Sequence, residues 1–524
     1  MRYRPTTNAL ASLAATLLFF GCLCCASSAM AEQGSARPVE ATAGKSDTKP
    51  LTMSLGECVA LTVRNNTGIE IAYLNRVLQK YNLVTNTTFR YIPRVSIDGT
   101  ARKAEDTTKT VSRRDERLVG TTTISQRIPT GGSVDFIFSK SREHDTESGS
   151  ATENEVIKTG SWKVQLTQPL LQGGGIDYDL SFVRQAEITE KENIVNLKST
   201  LIDEVTQGIE YYRALLTAKH AMEISKDSME ISQKSLDNAQ IEVKYGRMAP
   251  MDLIQYQSDL ADRELSLERD RNAYISARLA LVKHLRLDKD TLIIPSEKID
   301  IEGMEFDETR SLALAKQNRP DYLLKHLDLE DKEYALIRAS RDTLPKLDLT
   351  AEYEDVQTST TNQPKKREDD WAVQLGLSTP LFGTERRDLT SNELSAKAQV
   401  RIALIELHKM EEDLVSEVED SIRDLKIKER SVKLAVKARE LAQKKLEVEQ
   451  IKAKTGRSST FQIVSFQSDL FNAKNNELET KITYLNALSD FDKYLGTTLD
   501  TWKIDFKTQR EGAEKSITEV RSDR

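Results

Sequence analysis

The feature that most constrains this chain is that its second half repeats the layout of its first. Lys244-Tyr245-Gly246-Arg247 recurs as Lys454-Thr455-Gly456-Arg457, and Gln257-Ser258-Asp259-Leu260 recurs unchanged as Gln467-Ser468-Asp469-Leu470, both at an offset of 210 residues. Thr167-Gln168-Pro169-Leu170 answers Ser378-Thr379-Pro380-Leu381 at an offset of 211. Further upstream, Ala60-Leu61 and Asn65 align with Ala313-Leu314 and Asn318 at 253, and Ile92-Pro93-Arg94 aligns with Leu344-Pro345-Lys346 at 252. Collinear matches of this kind mark an internal duplication. The offset falls by about 41 between Pro93 and Pro169, so the first copy carries an insertion of that size. Each copy reads as helix, strands, long helix, turn, long helix.

The strands show period two. Trp162, Val164 and Leu166 alternate with Lys163, Gln165 and Thr167, and Trp371, Val373, Leu375 and Leu377 alternate with Ala372, Gln374, Gly376 and Ser378. Segments 94–99 and 347–353 alternate in the same way. One apolar and one polar face is the pattern of a half-buried strand, and equally of a barrel strand between lipid and water. Trp162 and Trp371 stand where a membrane interface would anchor such strands. Each strand pair closes at a proline, Pro169 or Pro380, which cannot extend a ladder.

Long helices follow. Residues 176–245 contain no proline and one glycine, Gly208, and residues 385–455 contain neither. At 1.5 Å per residue such a helix is a rod of roughly 100 Å. Leu404, Leu407, Leu414, Val418, Ile422 and Leu425 recur near a spacing of 3.5, a coiled-coil seam with Glu411 at one seam position. The rods end at Gly246 and Gly456, and a returning helix begins near Pro250 or Thr460.

Composition agrees with extended helices: 30% of the residues are charged and 6% aromatic. The net charge of −7 arises from 75 basic and 82 acidic side chains that are interspersed, so no basic footprint for nucleic acid is present. The N-terminal stretch has Arg2 and Arg4 before an apolar run and Ala29-Met30-Ala31 after it, the layout of an export signal. Beyond it no apolar run is long enough for a membrane helix. A chain of this kind crosses a bilayer only with strands closed into a barrel. Cleavage after Ala31 is expected, the alternative being lipidation at Cys22, which follows Phe19-Phe20-Gly21. Five scattered histidines offer no metal-ligand spacing. Gly173-Gly174-Gly175 lacks the Lys-Ser/Thr of a phosphate loop and reads as a strand-to-helix turn. No catalytic residue, cofactor or metal is expected, and the chain does not read as an enzyme.

The duplicated helix–strand–strand–helix layout, Asn318-Arg319-Pro320-Asp321 after an Ala/Leu helix, the strand-closing prolines and the Gly-marked tips together resemble the TolC-like outer membrane efflux protein family. The resemblance runs from about Leu51 to Leu499. It implies a mostly α-helical chain with a membrane β-barrel portion. Three copies would each give four strands to a twelve-stranded barrel, and long antiparallel coiled-coil helices would form a periplasmic tube. It further implies a homotrimer in the outer membrane of a Gram-negative bacterium, in contact with outer-membrane lipid, docked on a periplasmic adaptor and an inner-membrane pump. Its function would be passive exit of small molecules. Type I protein secretion through the same duct, or a periplasmic coiled-coil adaptor or scaffold, are the alternatives.

The expected organisation is a signal over 1–31, a flexible segment over 32–50, a first repeat over 51–286, a connection over 287–306, a second repeat over 307–496 and a disordered tail over 497–524. Within the first repeat, 103–161 is expected to form an external loop carrying a hairpin, Pro129-Thr130-Gly131-Gly132 being its turn. The alternative is two further barrel strands. Counting from the tip glycines, the positions where the family places closing acidic residues hold Gln462 and Ser465 in the second hairpin, and Asp252 and Gln255 in the first. With Gly246, Arg247, Gly456 and Arg457 these are the candidate gate or adaptor contacts.

Overall fold

A computed structural model describes residues 51–504 apart from 108–111, 149–154, 247, 298, 300, 302, 304, 362, 455 and 456. The signal, the 32–50 segment, Cys22, Arg247 and Gly456 lie outside the described residues.

The first repeat opens with β1 (Leu51–Met53), α1 (Leu55–Asn65) and α2 (Thr67–Asn86). Ser54 starts α1 with a reciprocal capping box to Glu57. Asn66 divides α1 from α2 by accepting the backbone N–H groups of Gly68 and Ile69 at 2.6 and 3.2 Å. In the second repeat Pro320 occupies the first turn after the equivalent break. The two break residues, Asn66 and Arg319, share extended backbone, φ −65°, ψ 133° and φ −68°, ψ 120°. The missing proline of the first copy is therefore replaced by a side-chain cap, and the break keeps its geometry.

Four strands follow in the first repeat: β2 (Arg94–Thr107), β3 (Ser112–Arg127), β4 (Ser133–Ser148) and β5 (Glu155–Pro169). The long helix α3 (Ile176–Lys244), the returning α4 (Leu253–His284) and the short β6 (Ile293–Pro295), which pairs in parallel with β1, complete it. The second repeat runs α5 (Glu308–Asn318), α6 (Pro320–Asp342), β7 (Lys346–Thr360), β8 (Lys366–Ser378), α7 (Thr384–Lys454) and α8 (Thr460–Leu495). The helical rods of 69 and 71 residues are those expected from the proline-free stretches.

All six long strands form one antiparallel sheet in the order β2-β3-β4-β5-β7-β8. The expectation of four strands per chain, with 103–161 as an external loop, is corrected here. β3 pairs with β2 from Arg94↔Ser125 to Thr107↔Ser112, and β4 pairs with β5 from Ser133↔Thr167 to Asp145↔Glu155. The reason is local: Thr and Ile at 121–124 and Val, Phe and Ile at 134–138 favour strands, and a tight turn at Gly131, φ +89°, sets them in register.

Each repeat has its own core. Met53, Cys58, Val205, Ile209, Tyr212, Leu281 and Ile293 pack in the first, and Ala315, Leu414, Val418, Ile422, Leu425, Tyr484 and Phe491 in the second. Most of the expected seam of α7 is thus buried, whereas Leu404 faces outward at 41% exposure. Glu411 fits the seam because the Tyr322 hydroxyl donates to it at 3.1 Å and Lys316 lies 3.5 Å away. α3 packs between α4 and α8, while α7 packs on α8 and α6. Arg213 joins the repeats: its Nη1 donates to the carbonyl of Leu485 at 2.6 Å and to Ser489 Oγ at 2.9 Å.

Of the tail expected over 497–524, residues 505–524 lie outside the described residues, and 497–504 pack onto the fold. A short helix, α9 (Thr498–Thr501), buries Leu499 against Ile69, Leu197, Leu201 and Ile202, and Trp502 packs on the first core. Gly496, φ +72°, ends α8 so close to Asn318 that a Cβ there would lie 2.5 Å from its carbonyl oxygen.

Candidate functional site

The register sorts every strand residue onto one of two faces. Phe138 pairs with Trp162 and with Thr122, Trp162 with Asp355, and Thr122 with Ile97. Followed along each strand at period two, the first face carries Val95, Ile97, Leu118, Ile124, Val134, Phe136, Phe138, Trp162, Val164, Leu166, Leu347, Leu349, Tyr353, Trp371, Val373, Leu375 and Leu377. The other face is mostly polar, carrying Thr121, Thr123, Ser125, Asp135, Ser139, Ser161, Lys163, Gln165, Thr350, Glu352, Glu354 and Gln374, with Val119, Ile137, Ile157 and Val356 as apolar exceptions. There Lys163 sits 3.3 and 3.2 Å from Glu352 and Glu354.

The apolar face is bare in the single chain: Ile97 is 81% exposed and Trp371 73%. A sheet this apolar on an open face is not stable in water, because a contiguous apolar patch of this size demands cover. Aromatic side chains collect toward the helix-distal rim, where Trp162 and Tyr353 have ring centroids 5.2 Å apart. At the helix-proximal end Phe89, Leu381 and Phe382 are exposed. At ~3.3 Å per residue and a strand tilt of ~40°, the stretch from Trp371 to Phe382 rises at most roughly 28 Å, comparable to the ~25 Å lipid-facing band between two aromatic girdles. Beyond the upper rim the same face turns polar, with the cross-strand pair Lys103–Glu116 at 2.5 Å. Among the described residues no helix is long and apolar enough to cross a membrane.

The sheet is fastened to the helices through Asp179, in the first turn of α3. Its carboxylate is fully buried and receives Arg90 and the Tyr91 hydroxyl, each at 2.6 Å, and Arg127 of β3 at 3.2 Å. Burial opposes its charge, but the hydrogen bonds from Arg90 and Tyr91 and the charges of Arg90 and Arg127 outweigh it, holding the carboxyl below its usual range. The β3–β4 turn is tied to the same place. Gly175 N–H donates to the carbonyl of Thr130 at 3.0 Å, and Thr130 Oγ1 donates to Gln168 Oε1 at 2.6 Å.

Among the described residues, neither lateral border of the sheet pairs with another strand. β2 and β8 each expose one ladder edge. On α4, Ile254, Leu265, Ile275 and Leu279 are exposed along one stripe, and on α7 Ile427, Leu434, Leu441 and Val448 repeat every seven residues, each more than half exposed. Such stripes are coiled-coil seams awaiting partners.

The two helical tips meet in a small core of Leu236, Ala239, Tyr256 and Val464. The duplicated Gln-Ser-Asp-Leu motif serves two environments there. Asp259 is buried, accepting from Ser232 at 2.5 Å and pairing with Arg263 at 3.2 Å, whereas Asp469 is exposed and pairs with Lys445 at 2.9 Å. Gly246, at φ +69°, terminates the first rod. Asp252, Gln255 and Arg457 are exposed, and Gln462 and Ser465 are half-buried. Gln462 N–H is capped by Ser459 Oγ at 3.3 Å. Trp162 and Trp371 share the apolar face. Asp179 and Arg213 are residues that no motif in the sequence marked, whereas Arg319 belongs to the Asn318-Arg319-Pro320-Asp321 motif. Arg319 reaches Asp321 and Glu417 at 2.7 and 2.8 Å and stacks on Tyr494 at 4.1 Å.

Residues 312–497 match the family model described as outer membrane efflux protein. That match spans the second repeat, from within α5 to just past α8. Similar folds extend the likeness across both repeats. The CmeC outer membrane channel of Campylobacter jejuni superposes with a TM-score of 0.62 at 13% identity, covering 85% of this chain and 86% of that one. The outer membrane protein VceC of Vibrio cholerae gives 0.61 at 12% identity, covering 84% and 96%. The open state of the MtrE outer membrane channel of Neisseria gonorrhoeae gives 0.59 at 13% identity, covering 85% and 89%. At these identities the likeness shows the fold alone. No curated protein sequence matches the chain.

Proposed function

We propose that three copies of this chain form an outer-membrane duct through which small molecules delivered by a periplasmic adaptor and an inner-membrane pump leave the cell. The observation that carries the reading is the sheet whose apolar face is bare over a membrane-high band while its other face is polar. Lipid outside and water inside is the environment that stabilises such a sheet. Its two open edges, and the seams on α4 and α7, lie on opposite borders of the helix order α4-α3-α8-α7. One copy's β8 and α7 then meet the next copy's β2 and α4, a head-to-tail contact that closes a ring. Ring closure removes the sheet edges and covers the seams together.

The duct is passive in this reading, and the helical tips at Gly246, Asp252, Gln255, Arg457, Gln462 and Ser465, with Arg247 and Gly456 beside them, form the periplasmic gate or adaptor contact. A periplasmic adaptor would carry one helical hairpin; this chain has two and a membrane-faced sheet. The test is native mass spectrometry of protein extracted in detergent from the outer-membrane fraction. A three-chain particle is expected. A monomer recovered from the soluble fraction overturns the reading.

A further inference from the structure

Two strands of the sheet, β3 and β4, have no counterpart in the second repeat, and nothing in them resembles a loop. β3 is hydrogen-bonded to β2 and to β4, and β4 to β5, along their described lengths. Their side chains follow the same two-faced code as their neighbours: Leu118, Ile124, Val134, Phe136 and Phe138 continue the apolar face, and Thr121, Thr123, Asp135 and Ser139 the polar one, which here also carries Val119 and Ile137. At the helix-proximal end the hairpin is clamped by Arg127 to the buried Asp179 and by Thr130 to Gly175 and Gln168. Gly131 sits so tightly there that a Cβ would lie 2.5 Å from the carbonyl oxygen of Gly173. The hairpin is therefore built into the wall at its base and along both sides.

We infer that β3 and β4 line the membrane pore, so that three copies of this six-stranded sheet close an eighteen-stranded barrel that admits bulky hydrated solutes. The inference rests on the three-copy reading above. An even number of strands per copy keeps β8 antiparallel to the next copy's β2, so the added pair leaves ring closure intact. Barrel width grows with strand number. With strands about 4.8 Å apart and tilted ~40°, eighteen strands give a backbone diameter of roughly 35 Å, against roughly 24 Å for twelve. Four long helices per copy, spaced ~9–10 Å, give a tube of nearly the same girth as the wider barrel. The membrane portion is then no narrower than the helical tube, and selection by size passes to the helical tips. Solutes that a twelve-stranded wall would retain cross this one.

The experiment uses the full-length protein reconstituted in liposomes, with single spin labels at Ile124→Cys, Phe136→Cys and Phe138→Cys on one face and Thr123→Cys, Asp135→Cys and Ser139→Cys on the other. Copy number is read in parallel by native mass spectrometry. Relaxation by lipid-dissolved oxygen is expected at the first set and by an aqueous nickel chelate at the second, in three-copy particles. Leu118→Cys and Thr121→Cys repeat the comparison where a label prevents assembly. Chelate access at both sets, in three-copy particles, overturns the eighteen-stranded wall and leaves the channel reading standing. Alternating access in particles of another copy number overturns the eighteen-strand count. A soluble monomer overturns the channel reading itself.

Discussion

Arg127, the last residue of β3, donates its Nε–H to Asp179 Oδ1 at 3.2 Å, joining the inserted hairpin to the first turn of the long helix that follows the sheet. Arg90 and Tyr91 complete the shell around the same carboxylate. Removing it with Asp179→Ala leaves the largely buried Arg90 guanidinium without its counter-ion and frees the partly exposed Arg127. The expected loss is about 3–5 kcal/mol, seen as a fall in the melting temperature of the detergent-solubilised protein. Asp179→Asn, which keeps an acceptor but no charge, should fall between the two. Equal stability of all three proteins would show that the clamp carries no load.

The same carboxyl sets an acid limit. Its folded-state pKa lies below the unfolded value, so its contribution is present above the unfolded value near 3.9 and is lost as pH falls through the folded one. Melting temperatures at pH 7 and pH 3 should differ less in Asp179→Asn than in the parent. An unchanged difference would place the acid-sensitive group elsewhere.

His284 adds a second, milder dependence. Burial lowers its pKa, although the charge and backbone carbonyl of Glu204 pull the other way. It is held neutral in the fold, so stability is present above about pH 6.5 and lost as pH falls through the depressed folded value. His284→Gln should flatten the decline in stability between pH 7 and pH 5. A decline of unaltered steepness counts against this.

Arg213 reaches from α3 to three acceptors on α8, the third being Asn486 Oδ1 at 3.3 Å. Arg213→Met fills much of the space but leaves those acceptors without their donor. A loss of about 1–3 kcal/mol is expected, measured by thermal melting, with copy number unchanged.

Val164 points to the apolar face between Phe136 and Tyr353. In the bilayer, Val164→Arg should cost ~2–4 kcal/mol and reduce the folded, membrane-inserted fraction on a heat-modifiability gel. Gly246→Val, at φ +69°, should instead spare the barrel and weaken export or adaptor binding, since its strain is confined to the helical tip. Wild-type insertion of Val164→Arg would mean that this face does not meet lipid.

The sequence alone determined the features that are written as periods and as breaks in periods. The duplication, the two rods, the glycine and proline stops and the alternation at Trp162 and Trp371 are local patterns that each strand or helix imposes on its own residues. Only the tertiary structure decided what those patterns join. That β3 and β4 belong to the sheet depends on pairing between strands and on the anchoring of Arg127 by Asp179, 52 residues away. No signal in the chain marks that aspartate. Arg213 reaches acceptors more than 270 residues distant, and nothing about an arginine in a charged helix announces that it is buried. Residues 498–504 read as a polar tail because three apolar side chains, Leu499, Trp502 and Ile504, are too few to form a pattern, yet each packs against residues from elsewhere in the chain. Period is a property of one segment, which a sequence displays, whereas burial and charge pairing depend on which distant segments become neighbours.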